Sequence, residues 1–159
     1  MAGVLTSEHV LNKSIFDFVQ DSKVKHLYKM LIERSRNEQV AVRLPFRCDS
    51  SDTRRYMAME VYPVENGLIA FRSCILREEK RDSVRLLETD IKRTDDILTI
   101  CSWCKRVNSN DGTWLEVELA IEKLKLFDEN ELPMLSHGMC ADCYENVKKE
   151  LQKINGESN

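Results

Sequence analysis

Two Cys-x-x-Cys pairs constrain this chain more than any other feature of its sequence. The first pair is Cys101 and Cys104, the second is Cys140 and Cys143, and 35 residues separate them. Two such pairs can supply the four thiolates of a tetrahedral zinc site, because zinc binds sulfur and takes four ligands in structural sites. When all four ligands are protein sulfurs, no position is open to a substrate. The spacing therefore predicts a structural Zn²⁺ ion rather than a catalytic one.

Other uses of paired cysteines fit the sequence less well. A redox Cys-x-x-Cys needs one pair, not two, and haem attachment needs a histidine where the chain has Lys105 and Tyr144. An iron–sulfur cluster stays open, because four thiolates also suit it. Three disulfides would suit an exported chain, but the first residues lack the basic and apolar segments of a secretory signal. We therefore expect a reducing, cytoplasmic setting, in which paired cysteines favour metal.

The charge of the chain is distributed unevenly. Apolar residues make up 42% and charged residues 32%, as in a globular protein, and the net charge is −3. Residues 1–100 contain 17 Lys and Arg against 16 Asp and Glu, whereas residues 101–159 contain 7 against 11. The cysteine-rich part is therefore acidic, unlike a nucleic-acid-binding finger, which usually carries a basic surface. No run of 18 apolar residues predicts a membrane-spanning helix.

Residues 1–76, here called the N-terminal half, predict an α+β domain. Apolar residues recur at helical spacing from Val24 to Ile32 after a capping Asp21, so a helix is expected over 23–36. An Asn-Gly turn at 66–67 predicts a hairpin. A helix followed by antiparallel strands is typical of a sheet covered on one face. Three strands are expected, over 40–46, 56–61 and 68–76.

Residues 77–98 predict a linking helix. Its apolar positions follow the 3-4 spacing of a short coiled coil. Two interpretations are open: a helix packed on its own domain, or the seam of a homodimer. The positions are Val84, Leu87, Ile91, Thr94 and Leu98.

Residues 99–154, here called the C-terminal module, predict a treble-clef-like zinc finger. A hairpin around Asp111-Gly112 follows the first cysteine pair, a helix is expected over 117–127, and the second pair precedes a helix over 144–154. The partial positive charge of a helix N-terminus favours thiolates there. We expect Trp103 and Trp114 to lie in the core of the module, and residues 155–159 to form a frayed tail.

His137 lies three residues before Cys140 and has two interpretations. It is either a metal ligand that replaces one cysteine, or a hydrogen-bond donor to a thiolate or a turn residue beside Gly138. The second is favoured, because the cysteine set is already complete.

Three segments of the C-terminal module resemble a known family. They are Ile100-Cys-Ser-Trp-Cys-Lys-Arg-Val107, Trp114-Leu-Glu-Val-Glu118 and Ser136-His-Gly-Met-Cys-Ala-Asp-Cys-Tyr144. Over about residues 97–150 the chain resembles a cysteine-rich module at the C-terminal ends of bacterial sensory proteins, often after PAS or receiver domains. The resemblance implies that the four cysteines bind metal and that the protein works in signalling. It implies no reaction.

The element order of the N-terminal half resembles the second part of a PAS-like sensor domain, with 77–98 as the linker that carries its signal. A full PAS domain opens with a β-hairpin, for which the thirteen residues before Ser14 leave no room. We therefore expect the sheet to be incomplete, or to be completed by a partner chain.

Arginines cluster around the first two predicted strands. Such a group can hold a carboxylate or phosphate, or it can form a solvated face paired with Asp49, Asp52 and Glu60. Cys48 and Cys74 are expected to be small buried apolar residues. The sequence contains no Ser-His-Asp order, phosphate-binding glycine loop or His-Glu-x-x-His motif. The arginines are Arg43, Arg47, Arg54, Arg55 and Arg72.

Together these features predict a non-enzymatic bacterial regulatory protein with a structural Zn²⁺ ion. It would bind a protein partner through an acidic surface, or form a homodimer through the linking helix. The alternatives are a nucleic-acid-binding transcriptional regulator that uses the arginines, a thiol redox or metal sensor, and an enzyme with an anionic substrate at the arginines. The acidic surface comprises Glu116, Glu118, Glu122, Asp128, Glu129 and Glu131.

Overall fold

The computed structural model of the chain describes residues 6–109, 111–126 and 130–153. The described helices are α1 (Ser7–Val10), α2 (Ser22–Glu38), α3 (Val117–Lys123) and α4 (Ala141–Lys153). The described strands are β1 (Val42–Arg47), β2 (Thr53–Pro63), β3 (Ile69–Lys80), β4 (Arg93–Cys101), β5 (Val107–Asn108), β6 (Trp114–Leu115) and β7 (Leu132–Gly138). They form a three-stranded antiparallel sheet, β1-β2-β3, and a four-stranded sheet, β6-β5-β4-β7. None of the described helices has the length and apolar character needed to span a membrane.

Helix α2 forms where the apolar spacing predicts it. The Asp21 carboxylate accepts a hydrogen bond from the Val24 backbone N–H at 2.9 Å and caps the helix N-terminus. Val24, Leu27 and Leu31 lie on one face and are buried. They pack on β1 and β2, so the predicted α+β layer of the N-terminal half is confirmed.

The three predicted strands of the N-terminal half form, and each extends beyond its predicted end. Val42 pairs with Val61, which pairs with Phe71, so these side chains share the α2 side of the sheet. Pro45 is tolerated because β1 is an edge strand of this sheet. The Asn66-Gly67 turn joins β2 to β3 with a positive φ at both residues, as an Asn-Gly turn requires.

The predicted linking helix over 77–98 is wrong. β3 runs on to Lys80, and β4 occupies residues 93–101 after a single 3₁₀ turn at Arg85–Leu87. Cross-strand pairs such as Arg55 with Glu78 hold the charged end of β3 on β2. These long-range pairings override the helical spacing, which is only a weak local preference.

The predicted dimer seam is lost together with the helix. Val84 and Leu98 are buried within the chain, in a second apolar cluster that also contains Ile100, Val117 and Leu132. Because this chain already covers these side chains, they are not available to a second copy.

β4 and β7 are the strands that the sequence analysis missed. They pair in parallel, with Cys101 beside Gly138, and the chain between them passes through β5, β6 and α3. A Cβ atom at Gly138 would lie 2.9 Å from the Thr99 side chain, so this position needs glycine for close strand approach.

The two helices predicted in the C-terminal module are present with shifted ends. Helix α3 ends at Lys123, earlier than predicted, and α4 begins at Ala141, three residues earlier than predicted. Residues 127 and 154, at the predicted helix ends, and the predicted tail 155–159 lie outside the described residues.

One apolar core joins the N-terminal half to the C-terminal module. It takes residues from α2, the first sheet, both cysteine pairs and α4. The boundaries 1–76 and 99–154 stay predictions, but the cysteines do not sit in a core of their own. The buried members are Val24, Leu27, Leu31, Val42, Leu44, Met59, Val61, Cys101, Trp103, Met139, Cys140, Cys143, Val147 and Leu151.

Candidate metal centre

The four cysteines meet at one point in the structure. The Sγ atoms of Cys101, Cys104, Cys140 and Cys143 all lie within 4.8 Å of one another, and we call them the four-cysteine cluster. The Cys140 sulfur lies 3.8 Å from the sulfur of Cys101 and 3.8 Å from that of Cys104. Two pairs that are distant in the sequence therefore converge, as the spacing predicts.

The first pair is positioned by the end of β4 and a tight turn. Lys105 has a positive φ of 64°, and the Cys101 N–H donates to the Arg106 carbonyl at 2.7 Å. The Lys105 N–H donates back to the Cys101 carbonyl at 3.0 Å. This closed loop turns both sulfurs of the pair to the same side.

The second pair lies at the start of α4. The Cys140 N–H donates to the Cys101 sulfur and the Cys143 N–H donates to the Cys140 sulfur, both at 3.5 Å. These amides and the helix N-terminus place positive partial charge beside the sulfurs, which favours thiolates over thiols.

Three thiols of the four-cysteine cluster, whose sulfurs lie close together, have pKa values that are shifted in opposite directions. The pKa of the Cys101 thiol lies far below its usual range, because the Cys104 and Cys143 side chains hydrogen-bond to its sulfur. Burial raises the pKa of Cys140 to about 11. The pKa of Cys143 is raised, because its thiol hydrogen-bonds to Cys101 and Cys104. The four groups cannot all ionise together unless a cation offsets their repulsion.

Two basic side chains lie beside the cluster. The Arg106 Nε–H donates to the Cys104 sulfur at 3.3 Å, and this contact raises the pKa of the guanidinium. Lys105 is half-buried, its Nζ donates to the Ser102 carbonyl at 3.0 Å, and burial lowers the pKa of its ammonium. Arg106 therefore offsets part of the charge at Cys104, the most exposed cysteine of the cluster.

The donor set fits one tetrahedral metal ion. Around an ion with metal–sulfur bonds of about 2.3 Å, neighbouring sulfurs of a tetrahedron lie about 3.8 Å apart. The separations of the Cys140 sulfur from the Cys101 and Cys104 sulfurs match this value, and all four sulfurs lie within 4.8 Å of one another. A disulfide would need the two sulfurs at about 2.05 Å, and all six cysteines are free. The structure thus offers four sulfur ligands, which fill every position of a tetrahedral site.

His137 is not part of the four-cysteine cluster. It lies on β7 opposite Ile100 and is exposed. Within the described residues, the candidate ligand atoms that come together belong to the four cysteines and do not include His137. The interpretation of His137 as a ligand that replaces a cysteine therefore has no support in this geometry.

The aromatic residues of the module lie in the shared core, as predicted. Trp103, between the first two cysteines, is 8% exposed, and its ring centroid lies 6.3 Å from that of Phe46 on β1. The Arg47 N–H donates to the Trp103 carbonyl at 2.8 Å. Trp114 is half-buried and packs against the same apolar core. The four-cysteine cluster is therefore connected directly to β1.

The predicted arginine site and the predicted acidic surface meet each other. Arg47 pairs with Asp49 at 2.5 Å and with Glu116 at 2.8 Å, whereas Arg54 pairs with Glu118 at 2.7 Å. Arg81, which sequence analysis missed because it fell in the predicted linking helix, pairs with Glu118 at 3.0 Å. These contacts join the first sheet to α3.

The rest of the two predicted surfaces is dispersed. Arg43 is exposed, Arg55 pairs with Glu78, and Arg72 pairs with Glu60. Glu122 and Glu131 are exposed, and Asp128 and Glu129 lie outside the described residues. The pairings of Arg47 with Asp49 and of Arg72 with Glu60 agree with part of the simpler interpretation. Asp52, however, pairs with Lys80, and the Arg47 side chain is only 11% exposed, so the arginines do not form one solvated face.

Asp49 is the most buried acid of this network, so its loss is expected to be costly. Its side chain is 1% exposed and lies against Arg47 and Arg81, which are 11% and 9% exposed. We expect Asp49→Asn to lower the free energy of unfolding by about 2 kcal/mol, because hydrogen bonds to charged groups contribute about 1.5–3 kcal/mol. Urea denaturation measures this, with Asp82→Asn at an exposed position as the control. Equal stability of the two variants would contradict a structural role for the network.

Cys48 and Cys74 are exposed, so the expectation that they are buried apolar residues is wrong. Cys48 follows the end of β1, and Cys74 lies on the uncovered face of β3, opposite Ala58. Both serve as matched controls for substitutions in the four-cysteine cluster.

Comparison of the chain with protein-family models, with curated proteins and with solved structures finds no match in any of the three.

Proposed function

We propose that this chain is a non-enzymatic, zinc-binding regulatory protein in which one Zn²⁺ ion is structural. The convergence of four cysteine sulfurs to within 4.8 Å of one another carries the proposal. Zinc is the metal expected for four thiolates in tetrahedral array, since iron–sulfur clusters place several metal atoms between their thiolates. The Zn²⁺ ion would supply positive charge and a cross-link, and the four cysteine sulfurs would hold it.

The structural role is supported by the surroundings of the cluster. Cys101, Cys140 and Cys143 are buried in the core that also holds α2 and the first sheet. A treble-clef-like finger consists of a cysteine turn, a short hairpin and a second cysteine pair at the start of a helix. The turn after β4, the β5–β6 hairpin and the start of α4 supply these parts, and we propose that relation for residues 99–154.

The proposal also includes a role in signalling and a PAS-like origin of the N-terminal half. It includes a protein partner that contacts the exposed acidic residues Glu122 and Glu131.

A thiol redox or metal sensor is the second candidate. The observation in its favour is that Cys104 is only half-buried, whereas the other three members of the cluster are buried. Mild peroxide would then release the ion through oxidation of Cys104 first. A metal content that stays constant under mild peroxide would eliminate this candidate.

Metal analysis of the native protein tests the main proposal. We expect elemental analysis and native mass spectrometry to find one zinc per chain. Cys140→Ser should lose the ion, whereas Cys48→Ser should keep it, because Cys48 lies outside the cluster. Protein with Co²⁺ in place of Zn²⁺ should keep its fold. Full metal content in Cys140→Ser would contradict the proposed ligand set.

A further inference from the structure

The outer edge of β3 is left open by the first sheet. β3 pairs with β2 along one side and is the last strand of the order β1-β2-β3. No strand in the described part of the chain pairs with its other side. Eight consecutive residues, 71–78, are exposed. An edge strand of this kind presents unpaired backbone N–H and C=O groups to solvent.

The chemistry of β3 changes along its length. Residues 69–76 contain one charged side chain, Arg72, and three exposed apolar ones, Phe71, Ile75 and Leu76, which are 40%, 53% and 55% exposed. Four consecutive charged residues follow, over 77–80, beyond a bulge in the pairing with β2. Charges and bulges are the usual means of blocking edge-to-edge pairing. They protect the second part of β3 and leave 69–76 unprotected.

Phe71 and Ile75 lie on the same side of the sheet. Phe71 pairs with the buried Val61, and its ring centroid lies 6.1 Å from that of Tyr28 on α2. Ile75 pairs with Met57 on the same side. Ser73 lies midway between them and is exposed.

We propose that the β3 edge binds the β3 edge of a second copy of this chain, antiparallel, about a two-fold axis through Ser73. In this register Phe71 lies opposite the partner's Ile75, and the symmetry repeats the pair. Aromatic and β-branched residues are favourable cross-strand partners. The two sheets then form one six-stranded sheet, with α2 of both copies on the same side.

Neighbouring registers fit less well. Directly opposed residues must lie on the same face of the sheet, so the axis passes through a residue and not between two. An axis through Arg72 would place Phe71 opposite Ser73, and an axis through Cys74 would place it opposite Arg77. Of these three registers, the one with its axis through Ser73 is the one that places Phe71 opposite Ile75, and its symmetry forms this pair twice.

The assembly closes at two copies. At the other edge of the sheet, β1 contains Pro45, and its Arg47 N–H is already bonded to the Trp103 carbonyl. That edge is unsuited to further pairing. A two-fold contact between the β3 strands pairs the open β3 edge of each copy, so no β3 edge is left for a third copy.

Complementary charges at the axis test this proposal on the metal-loaded full chain. We expect the wild type to sediment as a concentration-dependent dimer. Ser73→Asp and Ser73→Lys should each be monomeric, because the axis places two like charges face to face, and an equimolar mixture of the two should restore the dimer. Glu65→Lys, in the exposed β2–β3 turn, is the matched charge control and should stay dimeric.

Thermal unfolding and metal content establish whether each variant is folded. If a Ser73 variant does not fold, Ile75→Lys is measured in its place. A wild type that is monomeric at all concentrations would overturn the proposal. So would a dimer that persists in both Ser73 variants, or a mixture that fails to restore it. These outcomes leave the zinc proposal untouched, because its test is the metal content of Cys140→Ser.

Discussion

Removal of the metal is expected to unfold both halves of the chain together. Structural zinc binding contributes about 10–16 kcal/mol of apparent free energy, which equals or exceeds the whole stability of a typical domain, about 5–15 kcal/mol. The sulfurs of Cys101, Cys140 and Cys143 lie in the same core as Leu27 and Leu31 of α2. Without the ion, repulsion or reprotonation of the thiolates should open this core from its centre.

Amide hydrogen exchange after treatment with a strong chelator measures the effect. Amides of α2, β1 and β2 should lose protection together with those of α4. Untreated Cys74→Ser should keep both its metal and its protection, because Cys74 is exposed and outside the cluster. If the N-terminal half stayed protected while only residues 99–153 exchanged, the shared core would not couple the two parts.

Truncation of Leu27 is expected to weaken metal binding from a distance. Leu27 is 0% exposed and belongs to the shared core, although it lies on α2 and binds no metal. Leu→Ala at a buried site costs about 2–5 kcal/mol. If folding and metal binding are one reaction, a loss of about 3 kcal/mol should lower the apparent zinc affinity about 100-fold.

Competition with a chromophoric chelator measures this affinity. Leu68→Ala is the matched control, because Leu68 is 63% exposed and its truncation should change stability by less than about 0.5 kcal/mol. An unchanged zinc affinity in Leu27→Ala would show that the C-terminal module binds its ion independently of α2.

Features that depend on neighbours in the sequence could be predicted. The spacing of Val24, Leu27 and Leu31 and the cap at Asp21 specify α2 locally, and the Asn66-Gly67 turn specifies the β2–β3 hairpin. The four-cysteine cluster could be predicted for the same reason, because two cysteines three positions apart already form half of a candidate metal site.

Features that depend on distant pairing could not be predicted. Residues 77–98 carry an apolar 3-4 spacing, but Val84 and Leu98 are buried because β7 and α3 pack beside them. The run Ile97-Leu98-Thr99-Ile100 was the available signal for β4, because β-branched and apolar residues in sequence favour a strand. β7 had no comparable signal, because it contains Pro133 and Gly138 and is defined by its pairing with β4.

The ion-pair network was hidden for a similar reason. The arginines near β1 and the acids at the start of α3 are separated by more than sixty residues, as in the pair of Arg47 with Glu116. Each group alone has the composition of a binding surface. Only the fold brings them together and shows that each satisfies the charge of the other.

X-ray absorption at the zinc edge of the native protein tests the central claim most directly. We expect one zinc environment with four sulfur neighbours at about 2.3 Å and no nitrogen or oxygen ligand. Fewer than four sulfurs, a metal–metal distance typical of a cluster, or a protein that is folded without any metal would contradict the account.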